Sequence, residues 1–430
     1  MKFSTETIQK MEQLMVADFA QQIEREEIKV GEMEQALRSS LQEIGRSSYG
    51  EMLSLMDQHH HEVEADCSCG LQGKRVLRRE AQVLSVFGWS TYRRSYYQCK
   101  CGHRWCALDK EQGLRAGQAT EVMSSLLGIA GITVSFEEAR RQIKQYLEVE
   151  VCANTIRLET QRIGEKQAVR EQTWIAQSQD ISYLQERERH PKGPQRMYGS
   201  IDGAFVPLEE DWKEAKTVSW YQVDHRYGHE GLHAQEIAYY TDLEPAETFG
   251  ELLWGTGVYH QADRADELIF VCDGATWIWK QVTLYFPHAV QIVDWYHASQ
   301  YLHAVADVLP LPQLEKANWL TEMKYLLWEG QIEDILKECR SYVQQLGSPV
   351  ERLISYYTNN LTRMRYADFR AKDYFIGSGT VESACKQIVT MRLKRSGARW
   401  THSGASLTAK ARTAWLSRSW HDVTFLPLAA

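Results

Sequence analysis

Three acidic residues carry the strongest chemical signal in the chain. Asp202 stands in MYGSIDGAFV, Asp273 in ELIFVCDGATW, and Glu382 in YFIGSGTVESACKQIVTMRLKRSGARW. Each aspartate closes a short apolar, strand-like run and precedes a glycine. One Asp-Gly pair is only a turn signal. Two of them, placed alike in one α/β pattern and joined by a distant glutamate, have the make-up of a two-metal phosphoryl-transfer site. Two cations about 3.5–4 Å apart need carboxylates converging from separate elements, one ion activating the attacking oxygen and one stabilising the leaving oxygen. The expected cofactor is Mg²⁺ or Mn²⁺, two ions held by Asp202, Asp273 and Glu382. A glycine beside each aspartate is expected to let substrate backbone come close.

The surroundings of Glu382 extend this expectation. Ser378 is placed to cap a helix beginning near Thr380, with Glu382 in its first turn. Lys386, Arg392, Lys394, Arg395, Arg399 and Trp400 follow, so the spacing predicts a basic helix that tracks a nucleic-acid strand. In DWYHA, Asp294 and His297 lie within one helical turn of each other. They read equally well as an auxiliary pair at the site or as a helix cap.

Five of the nine cysteines fall between Cys67 and Cys106. CSCG opens this stretch, CKCGHRWC closes it, and the run between them alternates with period two around Gly88-Trp89, which predicts a β-hairpin between two cysteine knuckles. That is the layout of a zinc ribbon, with structural Zn²⁺ held by Cys67, Cys69, Cys99 and Cys101. Cys-x-Cys is tighter than the usual Cys-x-x-Cys, so His103 or Cys106 is an alternative ligand. Cys152, Cys272, Cys339 and Cys385 read as small buried apolar residues.

The elements that must position these groups follow from periodicity. Residues 1–66 read as an N-terminal helical arm, with Ile8, Met11, Met15 and Phe19 at helical spacing, and 67–115 as the zinc-ribbon-like module. Residues 116–195 read as a helical, helix-turn-helix-like DNA-binding region and linker. There SFEEARRQIKQYL has a capping box from Ser135 to Glu138, NTIRLETQRIG is framed by Asn154 as cap and Gly164 as stop, and HPKGPQ ends the linker. From 196 to 430 the order is three strands, helix, strand, helix, strand, helix, then an all-helical insertion at about 310–372 and the helix carrying Glu382. This is the element order of an α/β, ribonuclease-H-like catalytic core. That fold places one acid on its first strand and another at the end of its fourth.

The bulk numbers leave this open. At 430 residues the chain can bury more than one core. A net charge of −8 conceals an uneven distribution: fourteen Asp/Glu against six Lys/Arg in residues 1–66, ten Lys/Arg against three Asp/Glu in 67–115, and eight Lys/Arg with no carboxylate from Lys386 to Arg418. Phosphate contacts depend on such local clusters rather than on the total. No apolar run approaches the roughly 18–20 residues of a membrane span, and MKFSTETIQKMEQLM lacks the order of a secretory signal. A cytoplasmic protein is expected, without a membrane partner.

IDGAFV, CDGATW, DWYHA and above all GSGTVESACKQIVTMRLKRSGARW resemble bacterial insertion-sequence transposases of the Asp-Asp-Glu type, specifically the ISKra family, related to the Mutator-like and ISL groups. The resemblance runs from the CSCG knuckle to about Trp415. It implies that Asp202, Asp273 and Glu382 are the catalytic triad and that Asp294 and His297 form the family's Asp-x-x-His motif. The cysteines would then belong to a zinc-ribbon-like module, and the helices before Glu382 to an insertion domain. The expected function is DNA strand cleavage and strand transfer by a bacterial DNA transposase. Its partners would be double-stranded DNA, as element terminal inverted repeats and target DNA, and a homodimer or larger oligomer would form on that DNA, with the protein nucleoid-associated when bound. A metal-dependent nuclease or resolvase on the same fold, and a non-catalytic DNA-binding regulator, remain as alternatives.

Overall fold

The computed structural model describes residues 4–24, 29–59, 63–188, 192–225 and 231–424. The chain forms two compact units, Met1–Met123 with Arg140–Val151, and Ser124–Ala139 with Cys152–Ala430. It is a mixed α/β protein with two sheets. Among the described residues no helix is long and apolar enough to cross a membrane.

In the first unit, α1 (Thr5–Ile23) and α2 (Val30–His59) form the expected arm. The sheet β1 (Glu64–Asp66), β2 (Gln72–Ser85), β3 (Gly88–Gln98) and β4 (Arg104–Cys106) is antiparallel and in sequence order. Its β2–β3 hairpin turns between Ser85 and Gly88, whose φ of +99° a side chain would resist. The arm is not separate from the cysteine module. Tyr49 and Leu53 of α2 share a core with Val83, Tyr92 and Leu108. Fully buried Asp57 accepts hydrogen bonds from the Ser95 N–H (2.7 Å), the Ser95 hydroxyl (2.9 Å) and Arg78 (3.0 Å). Packing therefore draws no boundary at residue 66. α3 (Ala107–Gln112) follows the sheet; next in the chain come α4 (Glu121–Thr133), which lies mostly in the second unit, and α5 (Phe136–Leu147), which begins there and is capped by Ser135 through the Glu138 N–H (3.2 Å).

The second unit departs from the sequence reading in α6. This helix runs without a stop from Ala153 to Gln179, and Cys152, not Asn154, occupies its cap. Gly164 does not end it. Instead, a Cβ at Gly164 would stand 2.0 Å from the Leu407 carbonyl, so the missing side chain lets another helix approach. Ile156, Ile163, Trp174 and Ile175 are buried, which makes α6 a core helix rather than a short recognition helix. α7 (Ile181–Glu188) follows. His190 and Pro191, at the start of the expected linker, lie outside the described residues.

The expected α/β order then appears in full: β5 (Arg196–Pro207), β6 (Trp212–His225), β7 (Leu232–Asp242), α8 (Ala246–Tyr259), β8 (Glu267–Cys272), α9 (Thr276–Tyr285), β9 (Val290–Val293) and α10 (Trp295–Val308). The sheet order is β7-β6-β5-β8-β9. β5, β6 and β7 are antiparallel neighbours, while β8 and β9 run parallel to β5. β8 buries both faces, as the continuous apolar run Ile269–Cys272 requires. The helical segment is α11 (Gln313–Trp328), α12 (Ile332–Leu346), α13 (Ser348–Asn360) and α14 (Tyr366–Ala371). α15 (Gly379–Cys385) continues into a π-helix, Lys386–Leu393, and α16 (His402–Leu416) and α17 (Trp420–Val423) close the unit. α16 packs along α6 and β7.

Candidate active site

The register of the parallel strands builds the site. Gly199 of β5 stands opposite Phe270 of β8, and Cys272 of β8 opposite Val293 of β9. Carried forward residue by residue, this pairing places Asp202, Asp273 and Asp294 at one level across three neighbouring strands. Such strands lie about 4.8 Å apart, and the carboxyl ends of parallel strands are where α/β sheets bind ligands. Asp202 does not end its strand, as the sequence implied; β5 continues to Pro207, with Asp202 opposite Thr217. Asp273 directly follows β8, and Asp294 directly follows β9 as the cap of α10.

Each acid is held by its own backbone. Asp202 accepts the Gly203 N–H at 2.7 Å, and Asp273 the Ala275 N–H at 2.9 Å. Neither is joined to a lysine or arginine by an ion pair among the described residues. Burial pushes both carboxyls above the usual carboxylate range; the charge of Asp273 adds to the push on Asp202, and those of Glu214 and Asp294 to that on Asp273. Half-buried carboxylates without a cation are what a divalent ion would stabilise, so this residue set fits one.

Asp294 differs. It is 2 % exposed, yet its carboxyl lies below the usual range, because hydrogen bonds from His297 and from the Ser378 N–H outweigh the opposing burial. Its Oδ1 accepts the His297 N–H at 2.8 Å and His297 Nδ1 at 3.2 Å, and its Oδ2 accepts the Ser378 N–H at 2.5 Å. That last bond ties the loop before α15 to the end of β9. His297 Nδ1 also lies 3.5 Å from Glu382 Oε1, which accepts the Ser378 hydroxyl at 3.0 Å. Ser378 does precede the helix, but its side chain binds Glu382 instead of capping. The bond to Asp294 raises the His297 pKa against burial, with help from the charges of Asp294, Glu382 and Asp273. His297 is thus the common neighbour of the acids. Ligand atoms of Asp294, His297 and Glu382 lie within 4.8 Å of one another; Asp202 and Asp273 fall outside that tight trio.

Both glycines beside the aspartates serve the protein's own side chains, which corrects the expectation that they admit substrate. A Cβ on Gly203 would meet Glu214 Oε1 at 2.3 Å, and one on Gly274 the Tyr356 ring at 2.1 Å. Glu214, on β6 opposite Phe205, is an acid that the sequence reading passed over. It pairs with Lys216 at 3.1 Å, and no motif marks it. A cavity of about 540 Å³ opens on Asp273, His297, Tyr301, Arg352 and Tyr356. One of about 1010 Å³ shares Tyr301, Arg352 and Tyr356 with it and adds Lys280 and Arg363.

The basic segment after Glu382 is not the expected strand-tracking helix. Lys386, Lys394 and Arg399 are exposed. Arg395 pairs with Glu138 at 3.0 Å, while Arg392 and Trp400 are buried. The π-helix ends at Leu393, so Lys394, Arg395 and Arg399 lie beyond it, between helices, and share no helical face.

In the first unit the four thiols Cys67, Cys69, Cys99 and Cys101 converge within 4.8 Å. Cys67–Cys101 and Cys69–Cys99 sulfurs are 3.7 Å apart, close to the roughly 3.8 Å edge of a tetrahedron with Zn–S of about 2.3 Å. His103 Nδ1 is 3.4 Å from the Cys67 sulfur but is stacked on Trp105. Cys106 stands outside the cluster, buried at the end of β4.

Residues 23–423 match the model of an uncharacterised protein family, UPF0236. The chain belongs to that family. No curated protein matches it.

Proposed function

We propose that this UPF0236 member is a DNA transposase that cleaves and rejoins DNA strands in a metal-dependent reaction. The observation that carries the reading is the row of Asp202, Asp273 and Asp294 at one level on three adjacent strands, with Glu382 brought to it through His297 and Ser378. The sheet order, with three antiparallel strands followed by two parallel ones, has the form of a ribonuclease-H-like core and supports the same reading.

Asp202, Asp273 and Glu382 would hold two Mg²⁺ or Mn²⁺ ions, which supply Lewis acidity to the attacking and leaving oxygens. Asp294 fixes the His297 ring through Nδ1 and anchors the loop before α15, so the two residues orient Glu382. Lys280, Arg352 and Arg363, along the cavities beside Asp273, offer cations to the phosphates of a bound strand. Hydrolysis of a phosphodiester forms a phosphorus–oxygen bond from water and releases a 3′-hydroxyl. In strand transfer that hydroxyl attacks a target phosphodiester, and the target's own 3′ oxygen leaves. Cys67, Cys69, Cys99 and Cys101 would hold a structural zinc ion within the first unit.

The test uses the full chain, a labelled duplex bearing its own element end, and Mg²⁺, beside Glu382→Gln. End cleavage followed by joining, both lost in the variant, is the expected result. Cleavage without joining would make the protein a nuclease. Binding without either reaction would leave a DNA-binding regulator and overturn the enzymatic reading.

A further inference from the structure

A further cavity in the same unit, of about 640 Å³, shares no lining residue with the two beside the acid site. Its walls come from the start of α5, from α6, and from the segment between the π-helix and α16. Four arginines line it: Arg157, Arg392, Arg395 and Arg399.

Arg392 is the unusual one. It is 3 % exposed, and its guanidinium sits in the corner formed by the rings of Phe136 (4.6 Å) and Trp400 (4.9 Å). Its Nε donates to the Gly131 carbonyl at 2.6 Å, but Nη2 has no hydrogen-bond partner among the described residues. Among the described residues no carboxylate pairs with it; burial and the positive charges of Arg395 and Arg412 pull its pKa down to about 9. A buried, uncompensated cation is costly unless an anion completes it.

The neighbours point the same way. Among the described residues Arg157 is oriented by neutral acceptors only: Asn154 Oδ1 takes bonds from its Nε and Nη2 (3.0 and 2.7 Å), and Gln161 Oε1 one from Nη1 (2.8 Å). A guanidinium fixed in this way keeps its full charge for a ligand. Arg399, at the exposed side, donates to the Leu208 carbonyl at 3.4 Å. Arg395 is offset by Glu138, and Glu209 is the one carboxylate in the lining. The first turn of the fifteen-residue α16, at Thr401 and Gly404, also borders the cavity and turns the positive end of its dipole toward it.

We propose that this pocket is a phosphate-binding site, in which Arg392, Arg157 and Arg399 hold the phosphate against the start of α16. The phosphate has two possible sources, the backbone of a nucleic-acid strand or a free nucleotide. Neither needs the acid cluster, so the site is tested without added Mg²⁺, where failure of cleavage has no bearing on it.

The experiment titrates the full chain with inorganic phosphate, a nucleoside 5′-monophosphate and a single-stranded oligonucleotide, by calorimetry and ³¹P NMR line broadening. It compares wild type with Arg157→Gln and Arg399→Gln, both placed at the accessible side and confirmed folded by circular dichroism. Each variant is expected to bind at least about tenfold more weakly, the scale of a lost charge-assisted hydrogen bond. Loss for phosphate and nucleotide as well as oligonucleotide marks a free-phosphate pocket. Loss for the oligonucleotide alone, with the slope of log K against log salt falling by about 0.7, marks a backbone contact. Equal binding by variants and wild type, or no binding of any probe by wild type, overturns the proposal.

Discussion

Replacing Asp294 by asparagine tests the central linkage of the acid site. Asparagine caps helices as well as aspartate does, so the bond from the His297 N–H to Oδ1 survives. Two things are lost. The imidazole of His297 loses its hydrogen bond to the Asp294 carboxylate and keeps only Glu382 at 3.5 Å, and an amide N–H₂ replaces the oxygen that accepts the Ser378 N–H at 2.5 Å. A hydrogen bond between charged partners contributes about 1.5–3 kcal/mol, and a buried donor left without an acceptor costs about 1–3 kcal/mol. The variant should therefore lose about 2.5–6 kcal/mol where both effects operate.

The pH dependence gives the sign. The folded pKa of His297 is raised, so its contribution is complete below its unfolded value of about 6.5 and disappears as pH rises through the folded value. The folded pKa of Asp294 is lowered, so its contribution is present above about 3.9 and fails as pH falls through the folded value. Urea denaturation at pH 5.5 and at pH 8.5 should show the larger deficit at 5.5, and NMR should show His297 titrating at lower pH in the variant. Equal deficits at the two pH values, with an unmoved His297 titration, would refute the linkage.

Three further predictions follow from the same geometry. Because burial raises the carboxyls of Asp202 and Asp273, their charged forms weigh against folding at neutral pH; Asp202→Asn and Asp273→Asn should each stabilise the metal-free protein at pH 7 by about 0.5–2 kcal/mol and abolish the rise in melting temperature on adding Mg²⁺. Lower melting points in both variants would count against this. Metal analysis should find one zinc ion per chain, lost in Cys101→Ser and kept in Cys106→Ser, and zinc retained by the former would disprove the four-thiolate site. Lys410, buried between Glu171 (2.6 Å) and Asp242 (3.0 Å), should cost about 3–5 kcal/mol on truncation to alanine, measured by denaturant unfolding, and a loss below about 1 kcal/mol would show the pair to be solvated.

The sequence disclosed the second unit's sheet well, because MYGSID, KTVSWYQVD, EIAYYTD and ELIFVCD are apolar runs bounded by turn residues, and periodicity reports local conformation directly. Asp202 and Asp273 were legible for the same reason. The place of Asp294 beside them was not, since it depends on the register between β8 and β9, a pairing that no local pattern encodes. Glu214 escaped because its importance lies in the space that Gly203 leaves across a strand pair. Gly164 misled because glycine at a helix end and glycine at a helix crossing look alike in sequence. The basic segment misleads in another way: charge suggests exposure, yet Arg392 and Trp400 are buried, and the π-helix that carries Arg392 has no sequence signature.

Asp202 and Glu382 are 180 positions apart, and α16, which closes the core against α6, lies later still. A ribosome delivering about 5–20 residues per second would hold Asp202 for roughly ten to forty seconds before Glu382 is even made. During that interval the early aspartates have no glutamate to work with, and a transcript cut short upstream of codon 382 yields no cluster at all. The connectivity of the fold is thus a timing device: the acid cluster cannot assemble until translation has passed Glu382.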